Sequence, residues 1–215
     1  MAPKLRTKGR SSALIVLGLA ALGVYALDQT AKFLVVSYLT EGSTVRVLGD
    51  VLQWHFVRNP GAAFSLATGM TWIFTIIAAA VVVFIVIFAG RIRSLAWALV
   101  FGLLLGGVLG NLTDRLFREP SFGLGHVVDF ITTPWLIPAI YNVADASIVT
   151  SMVIFMILTI RGIGLDGRRS VREPARPADV TTADADSADA ADPGPRTAPP
   201  VAADGTPATP TQLAP

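Results

Sequence analysis

Four long apolar segments predict four membrane-spanning helices. They run from Ala13 to about Tyr38, from Met70 to Ala89, from about Ser94 to Asp114 and from about Ala139 to Ile160. A helix needs about 20 apolar residues to cross the roughly 30 Å hydrocarbon core of a bilayer, and each segment has about that length. The first is too long for the core of a cleaved signal peptide, so we expect it to be retained. The pattern predicts an all-α membrane protein, a bundle of four transmembrane helices.

The hydrophobic period changes between Glu41 and Thr68. Apolar residues there alternate with a period closer to two than to 3.6, which predicts a small β-rich element outside the membrane. This element ends in Asn59-Pro60-Gly61, where proline and glycine favour a tight turn. The stretch after Asp114, up to Pro138, is predicted as a loop.

Composition places the chain in the membrane and narrows its chemistry. The 215 residues are 53% hydrophobic and 15% charged, with a mean hydropathy of +0.60, values too apolar for a soluble domain of this size. The chain has no cysteine and only two histidines, so a disulfide, a thiolate metal site and a catalytic thiol are excluded, and we expect no metal or other cofactor. The pI is near 9.3, and we interpret the basic residues behind it as membrane topology signals rather than as a nucleic-acid-binding surface.

Basic residues predict the orientation of the helices. An even number of spans places both termini on one side, and the basic residues are concentrated on that side. They are Lys4, Arg6, Lys8, Arg10, Arg91, Arg93, Arg161, Arg168, Arg169 and Arg172. By the positive-inside rule both termini are cytoplasmic. We therefore expect a basic cytoplasmic segment over 1–12, a membrane domain over 13–161 and a disordered cytoplasmic tail over 162–215, because the tail is low in apolar residues.

Two carboxylates, Asp129 and Asp145, stand out beside and inside the last apolar segment. If that helix begins near Ala139, Asp145 lies roughly 9 Å inside it. A charge at the centre of a membrane helix costs roughly 2.5–3.5 kcal/mol, and somewhat less at this depth, so a functional role is indicated. Asn142 precedes Asp145 by three residues and is predicted on the same helical face.

Such a pair of carboxylates supplies an acid and a base from one residue type. Two carboxyl groups in a partly desolvated site share a proton, and their titrations separate. The ionised one can deprotonate a water that attacks an amide carbonyl, while the protonated one polarises the carbonyl oxygen. Which carboxyl holds the proton is open at this level. The residues predicted to hold a substrate backbone by hydrogen bonds are Asn59, Asn111, Arg115 and Asn142.

Other polar and small residues in the helices are expected to be structural. Asp28 and Lys32 are four residues apart, which predicts a neutralised ion pair facing the other helices. Glycines at 102, 106 and 110 predict a face that a neighbouring helix approaches closely.

Five sequence blocks together resemble bacterial lipoprotein signal peptidase, signal peptidase II. The blocks are Asp28-x-x-x-Lys32, Asn59-Pro60-Gly61-Ala62-Ala63-Phe64, Gly106-Gly107-x-x-Gly110-Asn111-x-x-Asp114-Arg115, Val127-Val128-Asp129-Phe130 and Tyr141-Asn142-x-Ala144-Asp145. The resemblance covers about residues 13 to 161. Tyr141 departs mildly from the family, which usually has phenylalanine there.

The resemblance implies an aspartic endopeptidase of the bacterial cytoplasmic membrane. Its substrates would be prolipoproteins whose lipobox cysteine carries diacylglycerol, cut on the amino-terminal side of that cysteine. Besides these substrates, its partners would be membrane lipids. Asp129 and Asp145 would be the catalytic pair near the outer face. Residues near substrate would be Asn59, Asn111, Arg115 and Asn142, and supporting residues would be Asp28, Lys32, Gly61 and Asp114.

Two alternatives remain at this level. A small proton-coupled transporter would also place acidic residues in a bundle, although the chain shows no repeated halves. A serine–lysine protease would use Lys32 with Ser37 or Ser65, an idea weakened by Asp28, because a paired ammonium is a poor base.

Overall fold

The computed structural model describes residues 8–61 and 71–169, which belong to one compact unit. Its helices are α1 (Lys8–Tyr38), α2 (Thr71–Phe88), α3 (Leu95–Phe117) and α4 (Val143–Ile160). Its strands are β1 (Thr44–Leu48), β2 (Leu52–Asn59), β3 (Val127–Thr133) and β4 (Ile137–Tyr141). The predicted segment before residue 8, the end of the predicted β-rich element at 62–68 and the predicted tail from 170 onward lie outside the described residues.

The prediction of four membrane-spanning helices is confirmed. Within the described part of the chain, the candidate spans are Arg10–Tyr38, Thr71–Arg91, Leu95–Phe117 and Val143–Ile160. α1 has 31 residues. At about 1.5 Å per residue it is longer than a bilayer core, so part of it extends beyond the hydrocarbon.

α3 lies against the three other helices, and glycines allow the close approach. A Cβ on Gly106 would lie 2.6 Å from the carbonyl oxygen of Ala21 in α1, and one on Gly107 would lie 2.6 Å from that of Ala144 in α4. Both distances are shorter than real Cβ contacts allow. The prediction of a packing face is confirmed, and this face serves two neighbouring helices.

The sheet is larger than the sequence predicted. Four antiparallel strands pair in the order β1-β2-β3-β4, so the stretch predicted as a loop supplies β3 and the first two residues of β4. β4 occupies an edge, and Pro138 falls at an irregularity in its pairing with β3, where a missing N–H is tolerated. The sheet rests on the end of α1, where Val35 packs in one buried cluster with Phe56, Val128 and Phe130.

The predicted start of the fourth helix near Ala139 is wrong. Ala139 belongs to β4, and α4 begins at Val143. The reason is that Ile137–Tyr141 is apolar and short, and such a run has no periodicity that distinguishes a strand from the start of a helix. The correction places Asp145 in the first turn of α4, closer to the membrane edge than the sequence implied.

Residues 161–169, most of which were predicted as the start of the tail, form a turn-rich segment that we call the strap. It folds back onto the beginning of α3, where the backbone N–H groups of Arg93 and Ser94 both donate to the carbonyl oxygen of Leu165 at 3.0 Å. The strap therefore closes the end of the bundle opposite to the sheet.

Candidate active site

The predicted site residues come together where the four helices meet the sheet. Asp129 is the third residue of β3, and Asn59 ends β2. The end of α3 contributes Asn111, and the start of α4 contributes Asn142 and Asp145. Residues from four separate elements thus form one polar cluster.

Asn142 and Asp145 form a capping box at the start of α4. The Asn142 side chain accepts a hydrogen bond from the Asp145 backbone N–H at 2.9 Å, and Asp145 Oδ2 accepts one from the Asn142 backbone N–H at 3.1 Å. This exchange satisfies two N–H groups that a helix start leaves unpaired. The spacing of three thus reflects capping rather than the predicted shared helical face, because Asn142 has an extended backbone and precedes the helix. The box fixes the Asp145 side chain at the N-terminus of α4.

Two asparagine side chains connect the carboxylates. Asn142 Nδ2 donates to Asp129 Oδ1 at 2.6 Å and to Asn111 Oδ1 at 3.1 Å. Asn111 Nδ2 in turn donates to Asp145 Oδ1 at 2.8 Å. Asp129 and Asp145 are therefore joined through one chain of hydrogen bonds, although they lie on different elements.

Lys32 sets the orientation of the Asn111 amide. The ammonium donates to Asn111 Oδ1 at 2.9 Å and, because it has no lone pair to accept with, it requires the oxygen on its side. The amide nitrogen of Asn111 then faces Asp145. Lys32, expected from the sequence to be structural, thus donates a hydrogen bond directly to a predicted site residue.

Lys32 is itself held between two carboxylates, those of Asp28 at 2.9 Å and Asp114 at 2.8 Å, and all three side chains are fully buried. Asp28 Oδ1 accepts a hydrogen bond from the backbone N–H of Ala144 in α4, at 2.9 Å, and Asp114 Oδ2 accepts one from Val128 in β3, at 3.2 Å. The predicted pair belongs to an ion cluster that connects α1, α3, α4 and β3, and Arg118 joins this cluster through Asp114 Oδ1.

The serine–lysine alternative loses its base in this arrangement. All three protons of the Lys32 ammonium have acceptors, and two of these acceptors are carboxylates. Ser37 is exposed on the last turn of α1, while Lys32 is fully buried. Ser65 lies outside the described residues.

Asp129 is 3% exposed, and burial raises its pKa from an ordinary 3.8 to about 6. The hydrogen bond from Asn59 Nδ2, 2.8 Å from Asp129 Oδ2, lowers the pKa, and the charge of Asp145 raises it. Asp129 thus takes up a proton far more readily than an exposed carboxylate does.

Arg115 lies within electrostatic reach of both carboxylates. Its guanidinium carbon is 5.3 Å from the centre of the Phe74 ring, and among the described residues its buried Nη1 has no hydrogen-bond partner. Gly61 leaves room for this contact, since its φ is +99° and a Cβ there would lie 2.9 Å from the Phe74 ring. Sequence reasoning missed Phe74, which sits in an apolar helix without a distinguishing pattern.

A cleft of about 890 Å³ opens at Asp129. Its lining includes Val57, Asn59, Pro60, Asp129, Thr132 and Ile140. Within residues 8–61 and 71–169, no group of three or more His, Cys, Asp or Glu side chains is placed to hold a metal ion.

The fold and site define a class: a multi-pass membrane protein with an extramembrane sheet and a buried carboxylate cluster at the junction. Residues 20–161 match the family model of signal peptidase (SPase) II. The chain is 57% identical to the lipoprotein signal peptidase of Leifsonia xyli subsp. xyli (strain CTCB07), over 85% of this chain and 84% of that relative. It is 47% identical to that of Rhodococcus jostii (strain RHA1), over 68% and 73%.

The chain belongs to the signal peptidase II family. A solved structure described as a bacterial membrane enzyme has the same fold, with a TM-score of 0.60 and 28% identity over 66% of this chain and 91% of that one. The resemblance seen in the sequence is confirmed, and membership makes the chain a peptidase of lipoprotein processing in a bacterial membrane.

Replacing Lys32 by methionine is expected to destabilise the protein strongly. The change leaves Asp28 buried without its cation and removes one of the two cations of Asp114, which keeps its pair with Arg118. Breaking a buried ion pair costs about 3–5 kcal/mol. Thermal unfolding in detergent measures the effect. The control is Arg46→Met, which removes an exposed pair with Asp50 and should shift unfolding little. Equal shifts for the two variants would contradict the role of the cluster.

The raised pKa of Asp129 predicts a pH-dependent stability difference. Between about pH 4 and 6 the unfolded chain has released a proton that native Asp129 still holds, so this group lowers native stability as pH rises. Wild type should lose on the order of 2 kcal/mol relative to the non-titrating Asp129→Asn between about pH 4 and pH 7. Unfolding midpoints of both proteins at the two pH values test this, with Asp50→Asn as the exposed control. A wild type that gains relative to Asp129→Asn would refute it.

Proposed function

We propose that this protein is an aspartic endopeptidase in which Asp129 and Asp145 activate a water molecule. The observation that carries the proposal is the shared hydrogen-bond chain through Asn142 and Asn111, because it links two carboxyl groups, one of which, Asp129, lines the cleft. Their environments differ, since Asp129 is buried in the sheet and Asp145 caps a helix. Such a difference separates an acid from a base.

The two carboxyl groups take complementary parts. In the proposed reaction the Asp145 carboxylate removes a proton from water, and the water oxygen bonds to the carbonyl carbon of the scissile amide. Protonated Asp129 donates to the carbonyl oxygen, giving a tetrahedral diol. The C–N bond of the intermediate then breaks as Asp145 gives its proton to the amine nitrogen. A hydroxyl of the diol gives its proton to Asp129 as the product carboxylic acid forms, which returns both carboxyl groups to their starting states.

The substrates proposed are prolipoproteins whose lipobox cysteine carries diacylglycerol, cut on the amino-terminal side of that cysteine. The family and the names of the relatives support this assignment. A signal peptide is an apolar helix, so an approach from the lipid to a site at the membrane edge suits it. The polar side chains proposed to hold the substrate backbone are Asn59, Asn111, Arg115 and Asn142. The Nη1 of Arg115 is buried and has no hydrogen-bond partner within residues 8–61 and 71–169, which supports a role as a donor to a substrate carbonyl.

The supporting residues proposed are Asp28, Lys32, Gly61 and Asp114. The ion cluster orients Asn111, and Gly61 leaves space for Phe74 and Arg115. Family membership favours this peptidase over the proton-coupled transporter, and no cofactor enters the proposed reaction.

Replacing either carboxylate by the isosteric amide should abolish cleavage. Asp129→Asn and Asp145→Asn each remove an acid or base that the reaction requires, so the rate should fall by at least about a thousandfold. A gel-shift assay with a diacylglyceryl-modified prolipoprotein measures the rate, with Asp50→Asn, an exposed carboxylate, as the control.

Two other outcomes, one in the cleavage assay and one in a liposome uptake assay, would overturn the mechanism. Cleavage retained in Asp145→Ala but lost in Lys32→Ala would instead support a serine–lysine protease. Proton-coupled uptake by Asp129→Asn in liposomes, without cleavage by wild type, would support the transporter.

The proposed orientation places the sheet and the site at the outer face of the cytoplasmic membrane, with both termini inside. The chain has no cysteine, so single cysteines report sidedness cleanly. The side chain of Asp50 is 82% exposed in the sheet, and that of Arg168 is 90% exposed in the strap. A membrane-impermeant maleimide should label Asp50→Cys in intact spheroplasts and Arg168→Cys only after lysis. The reverse pattern would invert the topology.

A further inference from the structure

A second cavity lies at the opposite end of the bundle from the carboxylates. It has a volume of about 600 Å³ and is lined by the start of α3, the end of α4 and the strap. Trp97 and Asn111 are separated by roughly 20 Å along α3, so the cavity is distinct from the site proposed for cleavage.

Aromatic rings form one wall of this cavity. Phe155 of α4 meets the Trp97 ring edge to face, with 5.2 Å between ring centres, and the Phe101 ring lies 6.0 Å from Trp97. Phe101 and Phe155 are only half-buried, and both helices are candidate membrane spans. Such a wall suits a hydrocarbon chain better than water.

The strap forms the other wall and is held in a fixed position. The Trp97 indole N–H donates to the carbonyl oxygen of Ile163 at 2.9 Å, and the backbone N–H of Gly164 donates to Arg168 at 2.8 Å. The turn at Gly167, with φ +81°, packs against Ser94. These contacts place Arg168 and Arg169 at the lining of the cavity.

The charge at this end is strongly positive. The strap carries one acid, Asp166, whose carboxylate is 3.9 Å from the Arg168 guanidinium. Exposed arginines around it are Arg91, Arg93, Arg161, Arg168 and Arg169. A guanidinium with so weak an ion pair is available for a bidentate contact with phosphate.

We propose that this cavity binds an anionic phospholipid, with an acyl chain along Trp97, Phe101 and Phe155 and the phosphate at Arg168 and Arg169. An amphiphile matches both walls, because a free anion would leave the aromatic wall in water and a neutral lipid would leave the arginines unpaired. In the proposed orientation this is the cytoplasmic leaflet, where basic residues attract anionic lipids. The site is independent of peptide cleavage.

The test uses full-length protein in which Trp97 is the sole tryptophan, made by Trp54→Phe, Trp72→Phe and Trp135→Phe. Brominated acyl chains quench a tryptophan that they touch, so quenching reports occupancy of the cavity. Phosphatidylglycerol and phosphatidylcholine with the same brominated chains are added to the protein in detergent micelles. The anionic lipid should quench at about a tenfold lower mole fraction, as expected from one charge-assisted hydrogen bond to phosphate.

Arg168→Gln should remove this preference, whereas Arg46→Gln should leave it unchanged. Arg46 is a matched control, since its side chain is 72% exposed and also pairs with a nearby aspartate, Asp50, at 3.4 Å. Equal quenching by the two lipids, or equal effects of the two variants, would overturn the proposal. Loss of quenching in millimolar sodium phosphate would assign the arginines to a free anion and also overturn it.

A second measurement does not depend on the tryptophan substitutions. Native mass spectrometry of the unaltered chain counts phospholipids retained after release from micelles. Preferential retention of phosphatidylglycerol, reduced in Arg168→Gln and not in Arg46→Gln, supports the site. Prolipoprotein cleavage is assayed separately, so a failure here leaves the proposed peptidase activity intact, and the reverse also holds.

Discussion

A single buried ammonium group holds together the part of this protein in which the proposed catalytic residues lie. Lys32 has no exposed surface and makes close contacts to Asp28, Asp114 and Asn111. An unpaired charge at this depth would cost several kcal/mol, so the three partners must stay in place for the helices to pack. Because those partners also accept hydrogen bonds from α4 and β3, the requirement of one cation fixes the mutual position of four elements.

The proposed catalytic groups are built on this cluster through amide side chains. Lys32 orients the Asn111 amide, whose nitrogen donates a hydrogen bond to Asp145. Asn142 is hydrogen-bonded to both Asp145 and Asp129. Amides suit this task because each offers a donor and an acceptor in fixed directions. The result is a preorganised pair in which one carboxyl is buried in a strand and the other caps a helix.

The helices and the sheet position different residues of the proposed site. Glycines on α3 allow α1 and α4 to approach, which brings Asp28 and Ala144 within hydrogen-bonding distance. The sheet holds Asp129 and Asn59 above the helix ends and forms a cleft beside them. At the other end the strap and the aromatic residues of α3 and α4 form a second cavity, which is lined by arginines. One end of the bundle therefore carries buried carboxylates and the other carries basic side chains.

The sequence alone determined the features that depend on local composition. Hydropathy gave four membrane-spanning helices, and the five blocks pointed to the family and to the residues that meet at the junction. The sequence did not predict strand β4 or the true start of α4. A five-residue apolar run can be a strand or the start of a helix, and only its pairing with a neighbouring strand decides between them. Only the tertiary structure decided that Lys32 orients Asn111, since those residues belong to different helices. Hydrogen bonds of that kind depend on how distant segments pack, and no local pattern of residues encodes them.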